Sequence, residues 1–108
     1  MSGEIVWTDA TELARQIRAK ELSPVEVVQA FLDRADVVNP GVNAVVVDVP
    51  DALDRAKAAE RAVVSGEALG PLHGVPVTIK DCIDTAGVRT TRGSLLFKDR
   101  VPDADATV

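Results

Sequence analysis

The sequence predicts an α/β protein, and three observations carry that expectation. Two stretches near the amino terminus, 10–17 and 25–38, place apolar residues at helical spacing. Two others, 43–49 and 75–80, are short, β-branched and bounded by turn residues. A third helical pattern lies between those two, so the order is helix, helix, strand, helix, strand, with the last helix crossing between strands of one sheet.

Residues 1–7 read as irregular, with Ile5-Val6-Trp7 available to pack on a helix. Thr8 or Asp9 caps a helix over residues 9–20, in which Ala10, Leu13, Ala14 and Ile17 follow the i, i+3, i+4, i+7 rule. Ser23-Pro24-Val25-Glu26 is a capping box with proline at the first helical position. The helix it starts runs to Val38, burying Val27, Val28, Phe31, Leu32 and Ala35, and Asn39-Pro40-Gly41 ends it. Residues 43–49 then form a short buried strand. Pro50-Asp51 opens a third helix with Ala52, Leu53, Ala56, Ala59 and Val63 on one face, and Gly66 stops it. In 75–80, Val75, Val77 and Ile79 alternate with Pro76, Thr78 and Lys80, the period of a strand. Lys80 then stands on the face opposite the apolar set, at the carboxyl end where open sheets hold ligands. Pro102-Asp103-Ala104-Asp105 reads as the start of a further helix, with Asp103 or Asp105 as cap, and the text stops inside its first turn. Because a helix nucleus recovers its cost only on elongation, this reads as part of a longer domain.

The most specific text is Gly70-Pro71-Leu72-His73-Gly74, a short apolar stretch, Lys80-Asp81, and then Gly87-Val88-Arg89-Thr90-Thr91. It resembles the lysine motif of the amidase signature family. Ser23 to Glu26, Asp33-Arg34-Ala35 and the Asn39-Pro40 to Asn43-Ala44 segment resemble the family's amino-terminal portion. The resemblance therefore covers nearly the whole chain, as the N-terminal portion of an amidase domain over residues 1–108. Cys82 departs from the pattern, where Asn is commoner. The resemblance implies an α/β/α sandwich around a mixed sheet, and a hydrolase that cleaves carboxylic acid amides through a serine nucleophile, a second serine with a cis peptide bond, and a lysine. On that reading Lys80 is the triad lysine. Both serines would lie in a Gly/Ser-rich stretch beyond residue 108, so this chain alone is expected to be inactive. A hydrated lysine amine, with a pKa of about 10.4, is a poor base at neutral pH, so the resemblance implies that Lys80 is buried beneath the active site. The family needs no metal or organic cofactor.

Other candidates read as structural. Without the resemblance Lys80 itself is a surface cation. Ser23 is a cap, Ser65 precedes a helix stop, Gly93-Ser94 is turn chemistry and Ser2 lies in a tail. His73, the single histidine, has no second ligand or nucleophile near it in sequence and reads as a turn residue. Asp81 and Asp84 read as solvated or loop-stabilising rather than as paired acids. Cys82, the single cysteine, has no visible activating base. The glycines match no phosphate loop, and no metal-ligand spacing occurs.

Composition excludes several classes. With 46 % hydrophobic and 27 % charged residues the chain is of ordinary globular type. Trp7, Phe31 and Phe97 are its aromatics, so its core must be built from Val, Leu, Ile and Ala. A net charge of −5 argues against a nucleic-acid partner. Arg89, Arg92, Lys98 and Arg100, diluted by neighbouring acids, read as a solvated loop. One cysteine, no signal peptide and no spanning segment point to the cytoplasm and away from membranes. The expected partners are a small-molecule amide and the rest of an amidase chain, and a homodimer is allowed. Two rival functions share the same text: the amidase-type subunit of the amidotransferase that converts Glu-tRNA to Gln-tRNA, and a non-catalytic truncated or interaction module.

Overall fold

The computed structural model describes residues 2–108 and contains four α-helices: α1 (Ser2–Ile5), α2 (Ala10–Arg18), α3 (Pro24–Val42) and α4 (Ala52–Val64), followed by a 3₁₀ turn at Leu95–Phe97. The chain divides into two compact units, one of Met1–Asn43 with Pro50–Pro76, the other of Ala44–Val49 with Val77–Val108. No described helix is long and apolar enough to cross a membrane.

All four helices belong to the first unit. Asp9 caps α2 by accepting the Glu12 N–H at 2.8 Å, and Leu13, Ala14 and Ile17 are buried. At the start of α3 the capping box forms in both directions: Ser23 Oγ accepts from Val25 N–H at 3.0 Å, and Glu26 Oε2 accepts from Ser23 N–H at 3.1 Å. Ile5, Leu13, Ile17, Val27, Ala30 and Val63 make the core, with Phe31, Leu69 and Val75 half-buried against it. Helix α3 packs on both α1 and α4. On α4 Ala56 and Val63 are buried, as the alanine stripe predicts, and Gly66 at φ +74° follows its end.

The α/β class expected from the sequence is overturned. The described residues contain helices and no strand, so the strands expected at 43–49 and 75–80 are absent. A strand is a paired element whose N–H and C=O groups are satisfied by a neighbour's ladder, and period-two patterning does not supply that neighbour. Over residues 44–48 the alternation survives as burial: Val45 and Val47 are half-buried, residues 44, 46 and 48 are exposed, and the pattern breaks at Val49, which is exposed as well. The Val46 carbonyl is taken by the Arg89 guanidinium at 3.4 Å instead of by a strand. In the other segment Val75 joins the core of the first unit, but Val77 is 80 % exposed and Ile79 52 %.

Three smaller expectations are also corrected. Residues 2–5 are helical rather than irregular. Helix α3 passes through Pro40 to Val42, because a proline so near the end forfeits little of the ladder. Asn43 stops it, in the left-handed conformation at φ 50°, with its N–H on the Asn39 carbonyl at 2.6 Å. No helix starts at residues 102–108. Asp105 there accepts the Ala86 N–H at 2.8 Å, which makes it a loop tie rather than a cap.

Candidate functional site

The turn ahead of the lysine is anchored in the first unit by several contacts. The His73 N–H donates to the Gly70 carbonyl at 3.2 Å, and Val75 N–H to that of Leu72 at 3.1 Å. The His73 Nε2 lies 2.9 Å from the Ala59 carbonyl oxygen on α4, which identifies this histidine as the expected turn residue. Arg18, at the end of α2, donates to the Gly70 and Pro71 carbonyls at 3.3 and 3.4 Å. Sequence patterning missed Arg18, since a basic residue in a last helical turn ordinarily serves the helix dipole. Gly74, at φ +82°, lies against Pro24 and Ile17.

In the second unit Lys80 is exposed, so the burial expected for it is not supplied by the described residues. The chain turns directly after it, with Ile83 N–H on the Lys80 carbonyl at 2.9 Å. Asp81 is half-buried and ties the loop together. One carboxylate oxygen accepts the Thr91 N–H at 3.0 Å, the other accepts the Thr91 hydroxyl, and the Asp81 carbonyl accepts the Arg92 N–H at 2.9 Å. The Thr91 hydroxyl first, then the Thr91 N–H, hold this carboxyl below the usual range. Asp84 accepts a bidentate pair from Arg100 at 2.7 and 2.9 Å, with Arg92 at 3.4 Å. The Arg100 guanidinium lowers the carboxyl from its ordinary 3.8 to about 2. Both aspartates are thus loop-stabilising, as expected, and the basic cluster is less solvated than expected. Arg100 is ion-paired, and Arg89 donates to the Lys98 carbonyl at 3.0 Å. Thr90, 3 % exposed, donates its N–H to the Arg100 carbonyl at 3.0 Å.

The remaining candidates keep structural duties. Ser94 accepts the Leu96 N–H at 3.2 Å at the start of the 3₁₀ turn, and Ser65 donates to the Arg61 carbonyl at 2.8 Å. Ser23 is the cap already described, and the Ser2 side chain lies outside the described structure. Cys82 is exposed and unbridged. Among the described residues no group of three His, Cys, Asp or Glu is placed to hold a metal. Chemically, the site therefore offers one primary amine at the lip of a hydrogen-bonded loop.

The family model described as Amidase matches residues 26–108. The chain is 43 % identical over 106 residues to a glutamyl-tRNA(Gln) amidotransferase subunit from Acidothermus cellulolyticus, covering 97 % of this chain and 21 % of that protein. It is 41 % identical over 103 residues to an acylamidase of Rhodococcus erythropolis, covering 94 % and 22 %. Among solved structures, a bacterial aryl acylamidase of the amidase signature family superposes with a TM-score of 0.85 at 36 % identity, over 91 % of this chain and 21 % of that one. A fatty acid amide hydrolase superposes at 0.86 and 31 % identity, over 96 % and 19 %. The chain spans about a fifth of the length of the relatives it matches.

Proposed function

The chain belongs to the amidase signature family, and from that premise we propose that it is the lysine-bearing part of an amidohydrolase, with Lys80 as the triad lysine. The observation that carries the reading is local. Lys80 opens a loop whose two motif ends, Asp81 and Thr91, are hydrogen-bonded to each other. The part of the motif from Lys80 to Thr91 therefore closes on itself through its own side chains.

In the proposed reaction the neutral Lys80 amine takes a proton, through a second serine, from the serine nucleophile. The serine oxygen adds to the amide carbonyl, and the C–N bond breaks as the proton passes to the leaving nitrogen. An acyl-enzyme and ammonia or an amine result. Water then adds to the ester carbonyl as Lys80, through the second serine, takes its proton; the C–O bond to the nucleophile breaks, that proton returns to the serine oxygen, and the carboxylic acid leaves. The two serines, the amide pocket and the burial of Lys80 are assigned to the remainder of a longer enzyme. The proposed partners are accordingly that remainder and a small amide. No cofactor is invoked.

The test is a chimera in which residues 1–108 replace the matching fifth of the Rhodococcus erythropolis acylamidase. Hydrolysis of an acylamide is expected, and Lys80→Ala should abolish it. A folded chimera without turnover, or near-normal turnover after the substitution, would overturn the reading.

A second reading draws on the match to the amidotransferase protein, whose identity to this chain is similar to that of the acylamidase. In that role the same lysine chemistry would release ammonia for a partner. Ammonia-dependent amidation by an amidotransferase chimera supplied with its partners, against free amide hydrolysis without them, separates the two.

A further inference from the structure

The Lys80 amine has no hydrogen-bond or ion-pair partner among the described residues. The place from which it projects is set by its own backbone, and that backbone is held from one side by Asp81. We propose that Asp81 is a positioning residue for Lys80: its carboxylate and carbonyl clamp Thr91 and Arg92 and fix the backbone from which the lysine amine projects. The proposal rests on the reading of Lys80 as the triad lysine.

The clamp consists of three bonds between two short segments. Thr91 N–H and Thr91 hydroxyl donate to different oxygens of one carboxylate, which restrains the Asp81 side chain about both of its torsions. Arg92 N–H donates to the Asp81 carbonyl at 2.9 Å, so side chain and main chain of Asp81 are held by adjacent residues. The bonds to the carboxylate are charge-assisted and stronger than neutral ones. Directly after the clamp the chain reverses through Arg92 at φ 54° and Gly93 at φ +67°. On the near side the turn from Lys80 to Ile83 closes at 2.9 Å. The peptide joining Lys80 to Asp81 is therefore pinned at both ends. A loop held only by solvent would leave the amine to sample many directions, and displacements of about 1 Å in a reacting group cost on the order of a hundredfold in rate.

The chain itself provides the first measurement. Asp81→Ala and Thr91→Val (which removes the hydroxyl but keeps the shape) should each shift the Lys80 backbone resonances and raise its fast mobility in NMR relaxation. Thr91→Ser should restore both. Lys80 resonances indifferent to both substitutions would overturn the proposal. In the acylamidase chimera, Asp81→Ala is expected to lower kcat roughly tenfold to a hundredfold with KM changed less than about twofold, and Thr91→Ser to restore kcat lost in Thr91→Val. If Lys80→Ala abolishes turnover while Asp81→Ala leaves kcat intact, the positioning role fails and the amidase reading stands. Turnover that survives Lys80→Ala overturns both.

Discussion

Gly74 and Asp84 show how single residues set this structure. At Gly74 the backbone sits at φ +82°, and a Cβ would come within 2.9 Å of Pro24 Cγ and 3.2 Å of Ile17 Cδ1. Gly74→Ala thus meets a strained backbone and an occupied space together, and should destabilise the chain by roughly 2–4 kcal/mol, read from urea unfolding. Gly41→Ala, with nothing within 4 Å and no positive φ, is the control. Asp84 carries a pH signature. Its carboxyl titrates lower in the folded chain, about 2 against an ordinary 3.8, so the folded state holds fewer protons there and its stabilisation is present above about pH 4. It is lost as pH falls from about 4 toward 2. Amide protection at Gly87, Thr90 and Ala106, taken relative to the intrinsic exchange rate at each pH, should fall across that window, and Asp84→Asn should make that protection low and pH-insensitive.

Among the elements, α3 shows which signals were legible. Its start could be read from four residues, because the bonds of a capping box run between near neighbours and need nothing from elsewhere. Ser23→Ala removes the bond to Val25 N–H and should lower stability by about 1 kcal/mol, measured as a drop in Tm, whereas Ser23→Asp retains most of it. The end of α3 lies at Val42 rather than at the expected Val38. Proline marks a break in isolated sequence, but in the last turn of a packed helix it removes little of the ladder, and Asn43 supplies the stop. The turn before Lys80 was legible as a turn. Its anchoring by Arg18, 52 positions away in sequence, was not, because no local pattern encodes a contact of that range.

At the scale of the whole chain, apolar side chains remain in water. In the second unit Leu95 is 87 % and Leu96 90 % exposed, beside the exposed Val77 and Ile79 already noted. Exposed apolar surface of this kind drives association. The purified chain is expected to sediment with a concentration-dependent mass above 11.4 kDa, and Leu95→Lys with Leu96→Lys to bring it back toward the monomer. A single species at monomer mass across the micromolar range would count against association through these residues.

By itself the sequence determined what depends on near neighbours: the helix periods, the capping box, the turn chemistry around Gly74, and the family text that singles out Lys80. It also read Asp81 and Asp84 as solvated or loop-stabilising, without choosing between the two or saying what they would hold. Tertiary structure decided the partners. Thr91 meets Asp81 and Arg100 meets Asp84 across ten and sixteen positions, and Arg18 reaches the turn that precedes the lysine. It also decided that residues 43–49 and 75–80 would not pair as strands. A β pattern states which side chains could share a face, but a strand exists only where a second backbone satisfies its hydrogen bonds, and that is a property of the assembled chain.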